Sequence, residues 1–290
     1  MHTNDHSFVP PRFRQVILLH IIKNMLAESL GWRVPLILGI HGASGEGKTF
    51  QCEKVLAEIG VRSFLISGGQ LEGPDAGQPA KLIRNTYLDA GRYIEKTPNS
   101  TAVLLINDFD TGVGNWGDLV QYTVNRQTVF GELMHLVDYP NEVQGVSTRR
   151  IPIIFTGNDF TKLYVPLVRA GRMTSFEWVP TGEERVRILQ PMLELSEDET
   201  LNLMRELQEY ANATTAAGVL STAFFAHLKS IMVDERLVRI VNEIGAQEVI
   251  RRLRAGETPN MSTVAPYEHL LLAGKALIDS GNFVNHLQQG

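Results

Sequence analysis

Apolar residues recur at helical spacing from Phe13 to Leu30, which predicts an amphipathic helix near the start of the chain. "VPLILGI" (34–40) is then an unbroken apolar run ending in glycine, as expected of a buried parallel strand. "TFQCEKVLAEIG" returns to the helical period and closes on Gly60. "RSFLISGG" reads as a second strand. "PAKLIRNTYLDAGRYIEK" reads as a helix opening on a proline, where the missing N–H costs nothing. "TAVLLIND" is a third buried strand, "QTVFGELMHLVD" a helix, and "IPIIFTGND" a fourth strand. Strands alternating with helices predict an α/β fold, a parallel sheet flanked by helices. After Trp178 the pattern is helical to the end: "EERVRILQ", "EDETLNLMRELQEYA", "TAFFAHLKSIM", "ERLVRIVNEIGAQEVIRRLRAG" and "YEHLLLAGKALIDSG". The expected organisation is an N-terminal helical segment (1–32), an α/β subdomain (33–178) and a smaller all-helical subdomain (179–290).

Composition narrows the function classes. The 290 residues are 43% hydrophobic and 20% charged, as in a soluble globular protein, and the formal charge is −5. Nonspecific nucleic-acid binding needs an excess of Lys and Arg, so no nucleic acid is expected. "VILLHII" (16–22) is too short to span a bilayer, and no small-residue cleavage site follows it, so no membrane is expected. "MHTNDHSF" is neither Arg-rich nor Ser-rich, so no transit sequence is visible. Cys52 is the lone cysteine; no disulfide can form within the chain, and nothing points to an oxidising compartment. It reads as a small buried apolar residue.

Chemistry concentrates at the ends of the predicted strands. "GASGEGKT" comprises Gly42, Ala43, Ser44, Gly45, Glu46, Gly47, Lys48 and Thr49, between an apolar strand and a helix that begins near Phe50. Its glycines let backbone N–H groups turn toward phosphate oxygens. Lys48 would reach the β- and γ-phosphates, and the Thr49 hydroxyl would bind Mg²⁺. The following helix adds its N-terminal dipole. In "VLLINDFD", Asp108 and Asp110 stand where a strand emerges beside that loop. A carboxylate there holds the metal or polarises water; for Asp110, capping the next turn is an equal alternative. Asn158 in "FTGND" suits either the γ-phosphate or an ordinary turn. Arg169 and Arg172 in "VRAGRM" could neutralise a transferring phosphoryl group, often from a neighbouring subunit, or could be two surface arginines.

Loop, acidic strand, Asn strand, paired arginines and helical lid together resemble an AAA+ ATPase. "GEGKTFQCE", "SGGQLEGPDAGQPAKLIR", "IND-D", "QYTVN", "TGNDFTKLYVPLVRAGRM" and "PTGEERVRIL" resemble the Rubisco activases, over nearly the whole chain from about Pro10. The resemblance implies ATP and Mg²⁺ at Gly42–Thr49 and Phe50, with Thr49 and Asp108 toward the metal and Asp108 in the place of the water-activating acid. It implies a sensor at Asn158, arginine fingers at Arg169 and Arg172, and Lys229 in place of the lid arginine. It implies a first pore loop from Leu71 to Lys81, a second within "GVGNWGDLVQYTVN" with Trp116 and Tyr122, and a pore-facing Tyr164. Here "TGVGN" replaces the family's "AGAGR", which removes a pore-lining arginine. The extra N-terminal domain of plant activases and the small-subunit-like C-terminal domain of many cyanobacterial relatives are not seen. A homo-hexamer releasing inhibitory sugar phosphates from the Rubisco large subunit follows, in the bacterial cytosol or beside a carboxysome, with the chloroplast stroma ranked behind. The alternatives are a remodeller of another protein client and an ATP-dependent assembly scaffold.

Overall fold

The computed structural model describes residues 7–72, 75, 77–113, 121–214, 218–259 and 266–281, with 121–124 as backbone only. Two compact units emerge, 9–179 and 180–290 joined by 1–8. In the first, the chain runs α1 (Pro11–Leu30), β1 (Ile37–His41), α2 (Lys48–Glu58), β2 (Arg62–Ser67), α3 (Gln78–Lys96) and β3 (Ala102–Asn107). It continues through α4 (Phe109–Val113), α5 (Gln121–Asp138), β4 (Glu142–Val143), β5 (Val146–Ser147), β6 (Ile153–Thr156), α6 (Val165–Val168) and β7 (Met173–Glu177). The main sheet has the order β2-β3-β6-β1-β7, and every adjacent pair is parallel. Helices flank it, as the alternating pattern predicts.

All residues of β3 and β6 are buried, as are Ile37–Ile40 of β1, which accounts for the apolar runs that reveal these strands. Phe109 stacks on Phe155 at 4.1 Å and ties α4 to the central strand. The sheet corrects the four-strand expectation. β7 is an edge strand in which only Met173 is buried, and "MTSFE" carries no apolar run. A hairpin of β4 and β5 was also not foreseen; it turns at Gln144 (φ 51°) and Gly145 (φ 77°), the two positive φ values a tight two-residue turn demands.

The helical unit comprises α7 (Gly182–Leu193), α8 (Glu197–Thr214), α9 (Thr222–Ile244), α10 (Ala246–Arg254) and α11 (Tyr267–Asp279). α7 opens on a capping box: the Thr181 hydroxyl accepts from the Glu184 N–H at 3.2 Å, and the Thr181 N–H donates to Glu184 Oε2 at 2.8 Å. Leu189, Leu203, Leu207, Phe225, Leu228 and Ile278 form its core. The sequence reading divides α9 near Met232 and runs its second half into α10. The real break is Gly245, whose φ of 83° ends the helix.

One polar cluster fastens α1 to the sheet. His20 Nε2 lies 3.1 Å from the Ile153 carbonyl, Asn24 Nδ2 donates to Pro35 O at 3.1 Å, and Arg150 Nε donates to Asn24 Oδ1 at 2.8 Å. Burial lowers the His20 pKa from 6.5 to about 4, and Arg150 reinforces the shift. The unfolded chain therefore takes up this proton at a higher pH than the folded one. The stabilisation is whole above the unfolded value and is lost as pH falls toward the folded one, up to roughly 3 kcal/mol. The urea midpoint of the full chain is expected to fall between pH 7.5 and 4.5. That fall should shrink clearly in His20→Gln; an unchanged dependence would remove the assignment.

Candidate nucleotide site

The loop after β1 can be built only with glycine at key positions. Gly42 has φ 140°, and a Cβ there would lie 2.4 Å from the Trp178 carbonyl. Gly45 (φ 78°) and Gly47 (φ 71°) turn the chain into α2, whose first N–H groups have no side-chain cap. An uncapped helix start behind a left-handed loop is an anion cradle. Fully buried Trp178 braces it, its indole N–H donating to the Glu46 carbonyl at 2.9 Å. Phe13 packs edge-on against Trp178 at 5.0 Å, and the Arg12 guanidinium lies 4.5 Å from its ring centre.

Lys48 is buried, and its Nζ donates to Gly42 O and Ala43 O, both at 2.8 Å, and to Asn158 Oδ1 at 3.0 Å. Three acceptors around one nitrogen call for the ammonium form. Burial lowers its pKa, while Asp110, Asp108 and Glu46 oppose the shift. Lys48 thus spans the loop and the end of β6, where a phosphate chain would displace it from its own backbone.

Thr156 is the node between strands. Its hydroxyl donates to Asn107 Oδ1 at 3.1 Å and accepts from the Asp108 N–H at 3.2 Å. With that proton committed, the 3.2 Å contact to Thr49 Oγ1 is a donation from Thr49, which leaves Thr49 lone pairs for a cation. Asp108 holds a left-handed backbone (φ 51°), is exposed, and its carboxylate has no hydrogen bond among the described residues. Gly68 makes room for the Asp108 backbone in this conformation: a Cβ on it would meet the Asp108 carbonyl at 2.2 Å.

Asp110 does not cap the turn that follows it; its carboxylate holds a turn at the end of β6 instead. It is fully buried, and its Oδ2 accepts the N–H groups of Asn158 (3.0 Å) and Asp159 (2.9 Å). It therefore sets the turn that aims Asn158 at Lys48. Gly157 makes room, since a Cβ there would lie 2.4 Å from Asp110 Oδ1. Free lone pairs on Thr49, an open carboxylate at Asp108 and an ammonium beside a helix start fit a nucleotide phosphate chain with its divalent cation. The donors foreseen in Gly42–Thr49, Asp108 and Asn158 come together. Thr156, Trp178 and the bracing role of Asp110 were missed; the only signal was their place at strand ends beside the loop.

The arginines lie elsewhere. Met173, just after Arg172, pairs with Ile37 at the start of β1, and the Ile37 N–H donates to the Arg172 carbonyl at 3.3 Å. The phosphate loop leaves the other end of β1, beyond His41, which pairs with Glu177. The five residues of β1, about 16 Å of strand, therefore separate Arg172 from the start of its own loop. Arg169 is exposed in the same turn, its carbonyl accepting the Arg172 N–H at 3.2 Å. Lys229 donates to Glu194 Oε1 at 2.7 Å within the helical unit. Phe50 is exposed on α2.

Of the pore-loop residues, Leu71 is buried and so anchors its segment instead of facing outward, a correction to the expectation. Lys81 is exposed on α3, and Tyr164 is exposed with its ring 5.5 Å from Phe130. Trp116 and the Tyr122 side chain lie outside the described residues. Cys52 is buried and its thiol pKa is pushed up by burial, as suits a core position. Among the described residues no helix is long and apolar enough to cross a membrane.

Residues 38–181 match the model of the ATPase family associated with various cellular activities (AAA). The chain is 42% identical over 252 residues to the ribulose bisphosphate carboxylase/oxygenase activase of Anabaena sp., covering 85% of this chain and 59% of that protein. It is 36% identical over 297 residues to the chloroplastic activase of Arabidopsis thaliana (98% and 60%), and 36% identical over 296 to activase B of Hordeum vulgare (99% and 67%). The chain thus spans about three fifths to two thirds of the length of these relatives.

Proposed function

Because the chain belongs to the Rubisco activase family of AAA ATPases, we propose that it hydrolyses ATP to remodel Rubisco and free it of inhibitory sugar phosphates. It works as a ring, a hexamer, in the bacterial cytosol. Lys48 and the start of α2 bind the phosphates, Asp108 orients water, and Asn158, aimed by Asp110, reads the γ-phosphate. Thr49 and Asp108 would hold Mg²⁺, which neutralises charge on the phosphates. Arg169 and Arg172 serve the neighbour's site. Lys229 contacts the nucleotide from the lid. The segments 71–81 and 112–125, with Tyr164, pull on the Rubisco large subunit.

The observation that carries the reading is the separation of the arginines from their own phosphate loop. They stand at opposite ends of β1, so a finger has its use only at another copy's site. The client rests on the likeness to activases along the chain. An inhibitor bound at ~1 nM is held by ~12 kcal/mol, and each ~1.4 kcal/mol of active-site destabilisation speeds release tenfold. The test is carboxylation by host Rubisco blocked with ribulose bisphosphate. Activity should recover with this chain and ATP, and not with a nonhydrolysable analogue. No recovery while ATP is consumed would reject Rubisco as the client.

A further inference from the structure

The two arginines, three residues apart, differ in their surroundings. Arg169 is exposed and makes no side-chain hydrogen bond among the described residues. Arg172 is mostly covered, its side chain 18% exposed. Its Nη2 donates to Asp138 Oδ2 at 3.1 Å and to Oδ1 at 3.4 Å, and its Nη1 donates to the Pro166 carbonyl at 3.0 Å. Asp138 is the last residue of α5. A carboxylate there faces the negative pole of the helix, an unfavourable place that a cation relieves. The pairing is thus favourable to both partners, with the guanidinium fork engaging carboxylate and carbonyl at once.

The turn between them is short. The N–H groups of Arg172 and Met173 both approach the Arg169 carbonyl, at 3.2 and 3.4 Å. Holding Arg172 at one end therefore limits where Arg169 can point. α5 is itself secured at the far end: Arg126 Nε donates to the Val113 carbonyl at 2.9 Å, on the helix that follows Asp108.

We infer that Asp138 is a positioning residue for ATP hydrolysis. It keeps Arg172 within its own chain, and through that hold it fixes the turn from which Arg169 is offered to the neighbouring subunit. Arg169 is then the side chain that crosses, and Arg172 is its support. This rests on the reading of the chain as an ATPase with a shared site.

A kinetic double-mutant cycle on the full chain tests it, using wild type, Asp138→Asn, Arg172→Ala, the double variant and Asp138→Glu. Asp138→Asn and Arg172→Ala should each lower kcat by the same factor, on the order of tenfold, with KM for ATP within about twofold of wild type. The double variant should be no slower than Arg172→Ala, and Asp138→Glu should recover most of the rate. General destabilisation would lower thermal midpoints without this kcat-only, non-additive pattern. Wild-type kcat in Asp138→Asn beside a large loss in Arg172→Ala would overturn the inference, as would losses that multiply. A wild-type chain that releases no phosphate would overturn the ATPase reading and the inference with it, before any variant is compared.

Discussion

Lys48→Ala is expected to remove ATP turnover. Charge-assisted hydrogen bonds contribute about 1.5–3 kcal/mol each, so losing two to the phosphates costs at least a hundredfold in rate or affinity. The same change strips a donor from Gly42 O, Ala43 O and Asn158 Oδ1, so the empty loop loosens as well. Lys48→Met keeps most of the apolar stem and separates the two effects. Fluorescent-nucleotide binding and phosphate release are the readouts, and wild-type turnover in either variant would refute the site.

Arg169→Ala carries the other large effect. An arginine finger supplies about 10³–10⁵ in kcat, so a loss near a thousandfold is expected, with ATP affinity nearly unchanged. Arg169→Lys should not restore the rate, because one ammonium cannot reproduce the planar fork. An equal collapse of ATP binding would mean that Arg169 holds the ground state and does not act on the transition state.

The fold was legible wherever burial was complete. β1, β3 and β6 announce themselves because both faces are covered and nearly every residue is apolar. β7 did not, since an edge strand needs one apolar face at most and "MTSFE" offers little even of that. Gly245 was passed over because a single glycine within a helical pattern is common, and only its positive φ makes it a break. At the site, Gly42–Thr49, Asp108 and Asn158 could be read because their spacing along the chain is what the chemistry needs. Asp110, Thr156 and Trp178 could not. Their roles are contacts between segments far apart in the chain, Trp178 to Glu46 across 132 positions and Asp110 to Asn158 across 48. Leu71 was misplaced for the same reason: a family loop begins there, but its own side chain belongs to the core.

The central claim is that one copy's loop and another copy's arginine make a single site. Mixing Lys48→Ala with Arg169→Ala measures it most directly. Each protein alone should be nearly silent, one without a working loop, the other without a finger. In randomly mixed rings at equal amounts, about one seam in four joins an intact loop to an intact finger, so phosphate release should rise to roughly a quarter of the wild-type rate. A mixture as silent as its components, although size analysis shows the two proteins in the same rings, would contradict the shared site.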